Sequence, residues 1–299
     1  MDTLCGLFGK SRQAYYQREK HVYREAVKEE ILLQMVDRQR KQMPRLGGRK
    51  LLHLIHPLLV GEMSLGRDSF FDFLRQHNLL VGKRRVRVRT TWSNHWLHKY
   101  PNLIVGYEPE RAHRLWVSDI TYIPTEEGFC YLSLVTDAYS RKIIGWAVGN
   151  SLEAGHSVKA LKMALGQLPK GNRDVSHHSD RGVQYCCQEY VKILKKNHFR
   201  ISMTENSDPR ENAMAERVNG ILKGEWLNQM SFKTADQAGH EISKIIKIYN
   251  QLRPHSSLEM KTPGFVHQSS CEVKRLWKNY YKKKEIDSFA KPNKVMVIL

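Results

Sequence analysis

The chain has 299 residues, 41% of them hydrophobic, and carries 49 Lys and Arg against 30 Asp and Glu, a formal net charge of +19. That hydrophobic share excludes a chain disordered by composition, and the length allows an ordinary core with a smaller unit beside it. So large a positive surplus points to a polyanionic partner, most commonly nucleic acid, although a basic protein with no such partner has the same composition.

Residues 1–40 read as helical. Gly9-Lys10-Ser11 makes a turn between two helical pieces, and Ser11 is placed to cap the second. Helix, turn and helix is a DNA-binding layout, but an ordinary pair of packed helices fits equally well. The stretch Ala26–Gln39 continues as a helix with Val27, Leu32 and Met35 near one side. A break at Pro44-Arg45-Leu46-Gly47-Gly48 precedes two more helices, Arg49–Leu59 and Ser69–His77, with Ser64 and Asp68 as candidate caps of the second. The run Gly82–Arg89 then holds Lys83, Arg84, Arg85, Arg87 and Arg89 without an acid. It reads as sequence-independent phosphate contacts or as a solvated linker, and the two are compatible.

The pattern changes after the irregular stretch Trp92–Glu110. Leu115–Ile123, Gly128–Thr136 and Lys142–Val148 are β-branched and aromatic strands, the last two joined by a hairpin turn at Asp137–Arg141. A helix over Ser151–Leu168, capped by Ser151 and stopped by Pro169, leads to a strand at Asp174–His178. A helix at Gln188–Asn197, a strand at Arg200–Thr204, a polar loop at Glu205–Arg210, and helices at Asn212–Gln229 and Glu241–Asn250 follow. This order predicts an α/β ribonuclease-H-like mixed sheet as the core, at residues 101–268, after a helical DNA-binding region with basic linker at 1–100 and before a basic tail at 269–299.

Three acids stand where that topology can gather them. Asp119 is mid-strand, Asp180 follows the fourth strand, and Glu216 lies within the last core helix. Carboxylates are the residues that hard divalent cations prefer, and a pair of such cations can drive in-line displacement at phosphorus. Each acid also has an ordinary explanation, as a strand residue, a turn residue before Gly182 and a solvated helix face. Asp137 is equally acidic and is explained by its turn. Asn219, Gly220 and Lys223 lie at i+3, i+4 and i+7 from Glu216 on one helix face, with Asn212 one turn before; Arg217 and Lys223 are candidate phosphate partners.

At these residues the sequence resembles the retroviral-integrase superfamily of DDE recombinases, and within it the OrfB-type transposases of the third insertion-sequence family. The segments that carry the resemblance are Trp116–Ile123, Asp137–Trp146, His178-Ser179-Asp180-Arg181-Gly182-Val183-Gln184-Tyr185, Ser202–Thr204, Asn212–Glu225 and Tyr249–Leu258 with Thr262-Pro263. Thirty-five residues lie between Asp180 and Glu216, the spacing of the family's signature. The resemblance implies a ribonuclease-H-like fold and Asp119, Asp180 and Glu216 as catalytic residues and ligands of two Mg²⁺ ions, for which Mn²⁺ substitutes. It implies a DNA contact by Lys223, and Asn212, Arg217 and Asn219 beside it, with Lys83, Arg84, Arg85, Arg87 and Arg89, are the further DNA-binding candidates. It also implies terminal inverted repeats and target DNA as substrates, transposition through a DNA circle, and a homo-multimer on DNA. The family's upstream, OrfA-type half is expected as a partner or fusion. Glu211 stands where the family usually carries Asp, and the retained charge predicts tolerance.

Five cysteines without CxxC spacing disfavour a disulfide scaffold and fit a reducing compartment. With no signal core and no run of about 18 apolar residues, the expected location is the cytoplasm, at the nucleoid. His53, His56, His95 and His98 lack the cysteines of a zinc module. The alternatives are a catalytically inactive, transposase-derived DNA-binding protein and a nuclease of the same fold that cuts without joining.

Overall fold

The computed structural model describes residues 7, 9, 11–59, 65–82, 96–171, 174–205 and 209–269. The basic run at Lys83, Arg84, Arg85, Arg87 and Arg89, the candidate cap Ser64, the first helical piece before Leu7 and the tail beyond Ser269 lie outside the described residues. The chain divides into two compact units. One comprises Met1–Arg89, Ile123–Cys130 and Asn219–Val266; the other comprises Thr90–Tyr122, Tyr131–Val218 and His267–Leu299.

The second unit is built on a sheet. Its strands are β1 (Leu115–Thr125), β2 (Gly128–Asp137), β3 (Ile143–Gly149), β4 (Ser176–Ser179) and β5 (Arg200–Met203), in spatial order β3-β2-β1-β4-β5. β2 and β3 are antiparallel, and their register shifts between Val135 and Thr136. β4 runs parallel to β1 on one side and to β5 on the other. Leu115, Trp116, Val117 and Ser118 are all buried, the pattern of a central strand covered on both faces rather than of an alternating edge strand.

Among the described residues this unit also holds α4 (Ala154–Leu165), α5 (Val183–Cys186), α6 (Gln188–Lys196) and the start of α7 (Ala213–Glu225), numbered after three helices of the first unit. α4 lies so close to β3 that a Cβ on Gly145 would stand 2.1 Å from the Ala160 carbonyl oxygen, so only glycine fits there. Trp116, Ile144, Leu161, Tyr190 and Leu194 anchor the apolar core that this approach seals. α4 begins three residues later than the periodicity predicts, with Glu153 rather than Ser151 at its N-cap and no side-chain cap bond. The short α5 escapes sequence reading because four residues are too few to show a helical period.

The first unit is helical. α1 (Arg12–Gln42) is one 31-residue helix, and Ser11 caps it as expected, its hydroxyl oxygen accepting from the Ala14 N–H at 3.1 Å. α2 (Gly48–Ile55) passes into a 3₁₀ turn at His56–Leu58. α3 (Arg67–Gln76) has Gly66 at its N-cap and Asp68 in its first turn, where an acid favours the helix dipole without capping it. The long helix expected over Asn212–Gln229 is three pieces: a 3₁₀ turn at Pro209–Asn212, α7, and a second 3₁₀ turn at Leu227–Gln229. Trp226 interrupts it with φ −133° and ψ −67°, and its indole N–H donates to the Gln42 carbonyl at 2.8 Å. The tertiary hydrogen bond outweighs helix propensity at that point.

α8 (Ala235–Gln251), capped by Thr234, buries Ile242, Ile245, Ile246 and Tyr249 along one face. α9 spans Pro263–Gln268. Arg253 sits beside Glu225 in a two-pronged pair, Nε to Oε2 at 2.7 Å and Nη2 to Oε1 at 2.6 Å, and Arg253 is 1% exposed. Fork geometry of this kind is what allows a buried guanidinium to be tolerated. Among the described residues, no helix is long and apolar enough to cross a membrane.

Candidate catalytic carboxylate site

The pairing of β1 with β4 decides where two of the three acids stand. Trp116 is level with His177 and Val117 with His178. Two residues further along each strand's path come Asp119, inside β1, and Asp180, just past β4, so the parallel register carries the two level with one another. Both are half-buried. Asp119 Oδ1 accepts from the Ile120 N–H at 2.9 Å, and Asp180 Oδ1 accepts from the Gly182 N–H at 3.0 Å. A Cβ on Gly182 would meet Asp180 Oδ1 at 3.0 Å and Gln184 Oε1 at 2.9 Å, so the turn needs glycine to close on the carboxylate.

Glu216 comes from α7. The lead-in to that helix is tied to β1 by Asn212, a buried residue whose side-chain N–H donates to the Ser118 carbonyl at 3.2 Å, one residue before Asp119. Ala215 packs in an apolar cluster with Leu115, Val117 and Ala138. The residue after it, Glu216, is exposed. Among the described residues, no three His, Cys, Asp or Glu side chains are grouped closely enough to hold one metal ion. The structure thus brings Asp119 and Asp180 to one edge and anchors Glu216's helix beside β1, without gathering the three into a closed ligand set.

Beneath this edge lies a polar network that sequence reading did not single out. Ser118 Oγ and the Tyr190 hydroxyl both meet His177 Nε2, at 2.8 and 2.9 Å. Burial, helped by the neighbouring His178, lowers the His177 pKa to about 3. The imidazole is therefore neutral, and a shared Nε2 suits acceptance from hydroxyl donors. Burial likewise lowers His178 to about 4. Its Nδ1 meets Ser202 Oγ at 2.8 Å, and that oxygen also accepts from the Leu103 N–H at 2.9 Å. Nearby, Tyr185 is buried. Burial first, then Tyr190, Asp119 and Asp180, push its phenol pKa well above the usual value, so it keeps its proton. The signal for these groups in sequence was the run of polar residues His177-His178-Ser179 inside a strand otherwise expected to be apolar.

Asp137 has another fate. It is fully buried at the end of β2 and accepts from the His113 N–H at 2.7 Å and from the Ser140 N–H and hydroxyl, each at 2.8 Å. His267 Nδ1 meets Ser140 Oγ at 2.9 Å and stands 3.8 Å from Asp137. Burial raises the Asp137 pKa, but His267 and the donors from Ser140 and His113 outweigh it, and the net shift is downward. The turn assignment is correct, with the addition that Arg141 takes a left-handed φ of 63° to close the hairpin.

Of the remaining candidates on α7, Arg217 is exposed, Lys223 is partly exposed and Asn219 is buried. Asn219 therefore does not share the exposure of Glu216 three residues earlier, despite the common helical spacing.

A mixed sheet in the order β3-β2-β1-β4-β5, with β1 and β4 parallel and helices packed against it, is a ribonuclease-H-like core. Models of the integrase core domain match residues 109–209 and 197–263. An uncharacterized 31 kDa protein of insertion element IS600 from Shigella sonnei is 33% identical over 266 residues, which cover 87% of this chain and 96% of that protein. The transposase of IS904 from Lactococcus lactis is 36% identical over 166 residues, covering 54% of this chain and 65% of that protein. The transposase of IS629 from Shigella sonnei is 33% identical over 171 residues, 57% of each. These last two matches span less than two thirds of those proteins. Among solved structures, the HTLV-2 integrase catalytic core domain in complex with magnesium is 18% identical, with a TM-score of 0.42 over 52% of this chain and 97% of that one. The chain belongs to the insertion-sequence DNA transposases of the third family, DDE enzymes with an integrase core.

Proposed function

We propose that Asp119, Asp180 and Glu216 are the carboxylates with which this transposase holds two divalent cations, Mg²⁺ with Mn²⁺ as a substitute, to cleave and join DNA at the ends of its element. The observation that supports this most directly is the β1–β4 register, which brings Asp119 within β1 level with Asp180 just past β4. The donor chemistry fits hard cations, since half-buried carboxylate oxygens are the preferred ligands. Asn212 Oδ1, buried beside Ser118 and without a hydrogen-bond partner in the described residues, adds a neutral oxygen to the same edge. Two cations bound there would activate an attacking oxygen and steady the leaving one.

The chain's own residues do the rest. The Gly182 and Ile120 N–H groups orient one oxygen of each aspartate. The buried Ser118–His177–Tyr190 network fixes the two strands that carry them, and Asn212 brings the helix of Glu216 to β1. Arg217 and Lys223 on that helix pair with phosphates, as do Lys83, Arg84, Arg85, Arg87 and Arg89, which add sequence-independent affinity. Residues 1–100 recognise the terminal repeats, residues 101–268 perform the chemistry, and the basic tail from 269 onward adds charge. A homo-multimer holds two DNA ends together, with an upstream OrfA-type partner or fusion supplying the remaining specificity.

The test is a strand-transfer assay with labelled ends of the encoding element and Mg²⁺ or Mn²⁺, comparing the chain with Glu216→Gln. Metal-dependent joined products that vanish in the variant are the expected result. Joining that persists in Glu216→Gln overturns the assignment of that residue. DNA binding without joining in both proteins favours a chain that needs its fusion partner or that only binds DNA.

A further inference from the structure

α1 packs only along its last turns. Leu32 and Val36 are its buried residues, and on the same side Glu29 meets His77 Nε2 at 2.6 Å and Arg40 donates to the Leu79 carbonyl at 2.6 Å. Residues 12–27 are exposed throughout, so about 24 Å of helix precedes the part that packs. That stretch is not uniformly polar: Tyr16 is 44% exposed, Tyr23 72% and Val27 42%. Tyr16, Lys20, Tyr23, Val27, Glu30 and Gln34 recur at spacings of four, three, four, three and four residues. This is the interval at which one face of a helix meets a second helix. The face lies opposite the packed one, since Leu32 and Val36 come nine residues, two and a half turns, after Tyr23 and Val27. The packing that seats α1 in its unit therefore leaves this stripe open.

The charges on the stripe indicate what it fits. Lys20 and Glu30 are both exposed and stand symmetrically about the midpoint between Tyr23 and Val27. Laid antiparallel on a second copy of itself, the stripe sets Lys20 against Glu30 at both ends and Tyr23 against Val27 twice between them. Laid parallel, it sets Lys20 on Lys20 and Glu30 on Glu30, which is repulsive. A DNA backbone would meet the Glu30 carboxylate with Glu19 beside it, and like charge disfavours that contact. We propose that α1 pairs antiparallel with α1 of a second copy of this chain, through Tyr16, Tyr23 and Val27, with Lys20 and Glu30 fixing the register. Such a surface is self-complementary, as a two-fold interface requires. It joins two copies, and so the two DNA ends they carry. This deepens the homo-multimer reading above and rests on it.

The experiment measures the association state of the full-length chain by analytical ultracentrifugation, free and on paired DNA ends of the element, and melts the same proteins. Tyr23→Glu leaves the melting temperature unchanged, because the side chain is exposed, and weakens pairing by about 100-fold or more, since symmetry brings two carboxylates into the middle of the interface. Lys20→Glu also weakens pairing, and Lys20→Glu combined with Glu30→Lys restores it. Val22→Glu, exposed but off the stripe, leaves pairing unchanged. Multimers that persist undiminished in Tyr23→Glu, or a Lys20→Glu defect that Glu30→Lys does not rescue, overturn the α1 pair and leave the multimer standing. A wild-type chain that is a monomer both free and on paired DNA ends overturns the multimer and this proposal together.

Discussion

Two ends of one sheet use the same side chain in opposite ways. At the end of β2, Asp137 is sealed from solvent and surrounded by donors from His113 and Ser140, with His267 adjacent. Inside β1 and just past the end of β4, Asp119 and Asp180 stay half-buried, Asp119 with an oxygen on the N–H of the next strand residue and Asp180 with one on the N–H of its turn. A carboxylate enclosed by internal donors holds a fold together. One left half-exposed, beside a neutral buried network, is available to chemistry. The difference lies in the partners and not in the residue, so it appears only when the partners are placed.

The largest effect expected from this contrast is on activity. Asp119→Asn or Asp180→Asn takes strand joining to background, a loss of several kcal/mol of transition-state stabilisation, while the thermal midpoint barely moves. Joining measured beside melting checks both halves, and a collapse of stability instead would put these residues in the same class as Asp137.

Asp137→Ala should do the reverse and lower stability by about 3 kcal/mol, because it strands buried donors and a neighbouring histidine. Arg253→Met in the helical unit, which removes Glu225's two-pronged partner and leaves it only Lys50 at 4.0 Å, costs a similar amount, about 3 kcal/mol. Urea unfolding reads both. Mn²⁺ affinity that fell along with stability in Asp137→Ala would break the distinction between the two ends of the sheet.

Acid sharpens the comparison at lower cost. His177 and His113 have folded pKa values of about 3 and about 4, lowered first by burial. Below about pH 6.5 the unfolded chain takes up protons that the folded chain refuses. The stability these histidines protect is therefore full above that pH and declines as the pH falls toward their folded values. For the fully buried His177 the slope approaches about 1.4 kcal/mol per pH unit. Asp137 acts in the same direction lower down, since its lowered pKa gives stability that is lost on its protonation. Urea midpoints at pH 7.5, 6 and 5 should fall in that order, and a flat series would mean that these imidazoles are hydrated.

The smallest effect is at the N-cap of α1. Ser11→Ala removes the bond to the Ala14 N–H and costs about 1 kcal/mol of local helix stability. Faster amide exchange confined to residues 12–15, with activity unchanged, is the expected reading.

Much of the fold was legible in sequence because it is written in local periodicity. The strands at 115, 128 and 143, the cap at Ser11 and the apolar face of α8 follow from β-branched runs, turn residues and 3.6-residue spacing. Where sequence reading failed, a distant group had intervened. Trp226 breaks a helix because its indole reaches Gln42. Asn219 shares the helical spacing of Glu216 but is buried where Glu216 is exposed.

By itself, then, the sequence determined the family, the α/β class and the three acids worth suspecting, since motif order and residue spacing survive without coordinates. The tertiary structure decided that β4 lies beside β1, that Asp119 and Asp180 are thereby brought level, and that His177 on β4 is buried and neutral. The reason is physical: strand pairing and burial join residues some sixty positions apart, and the state of an ionisable group depends on what those distant partners are.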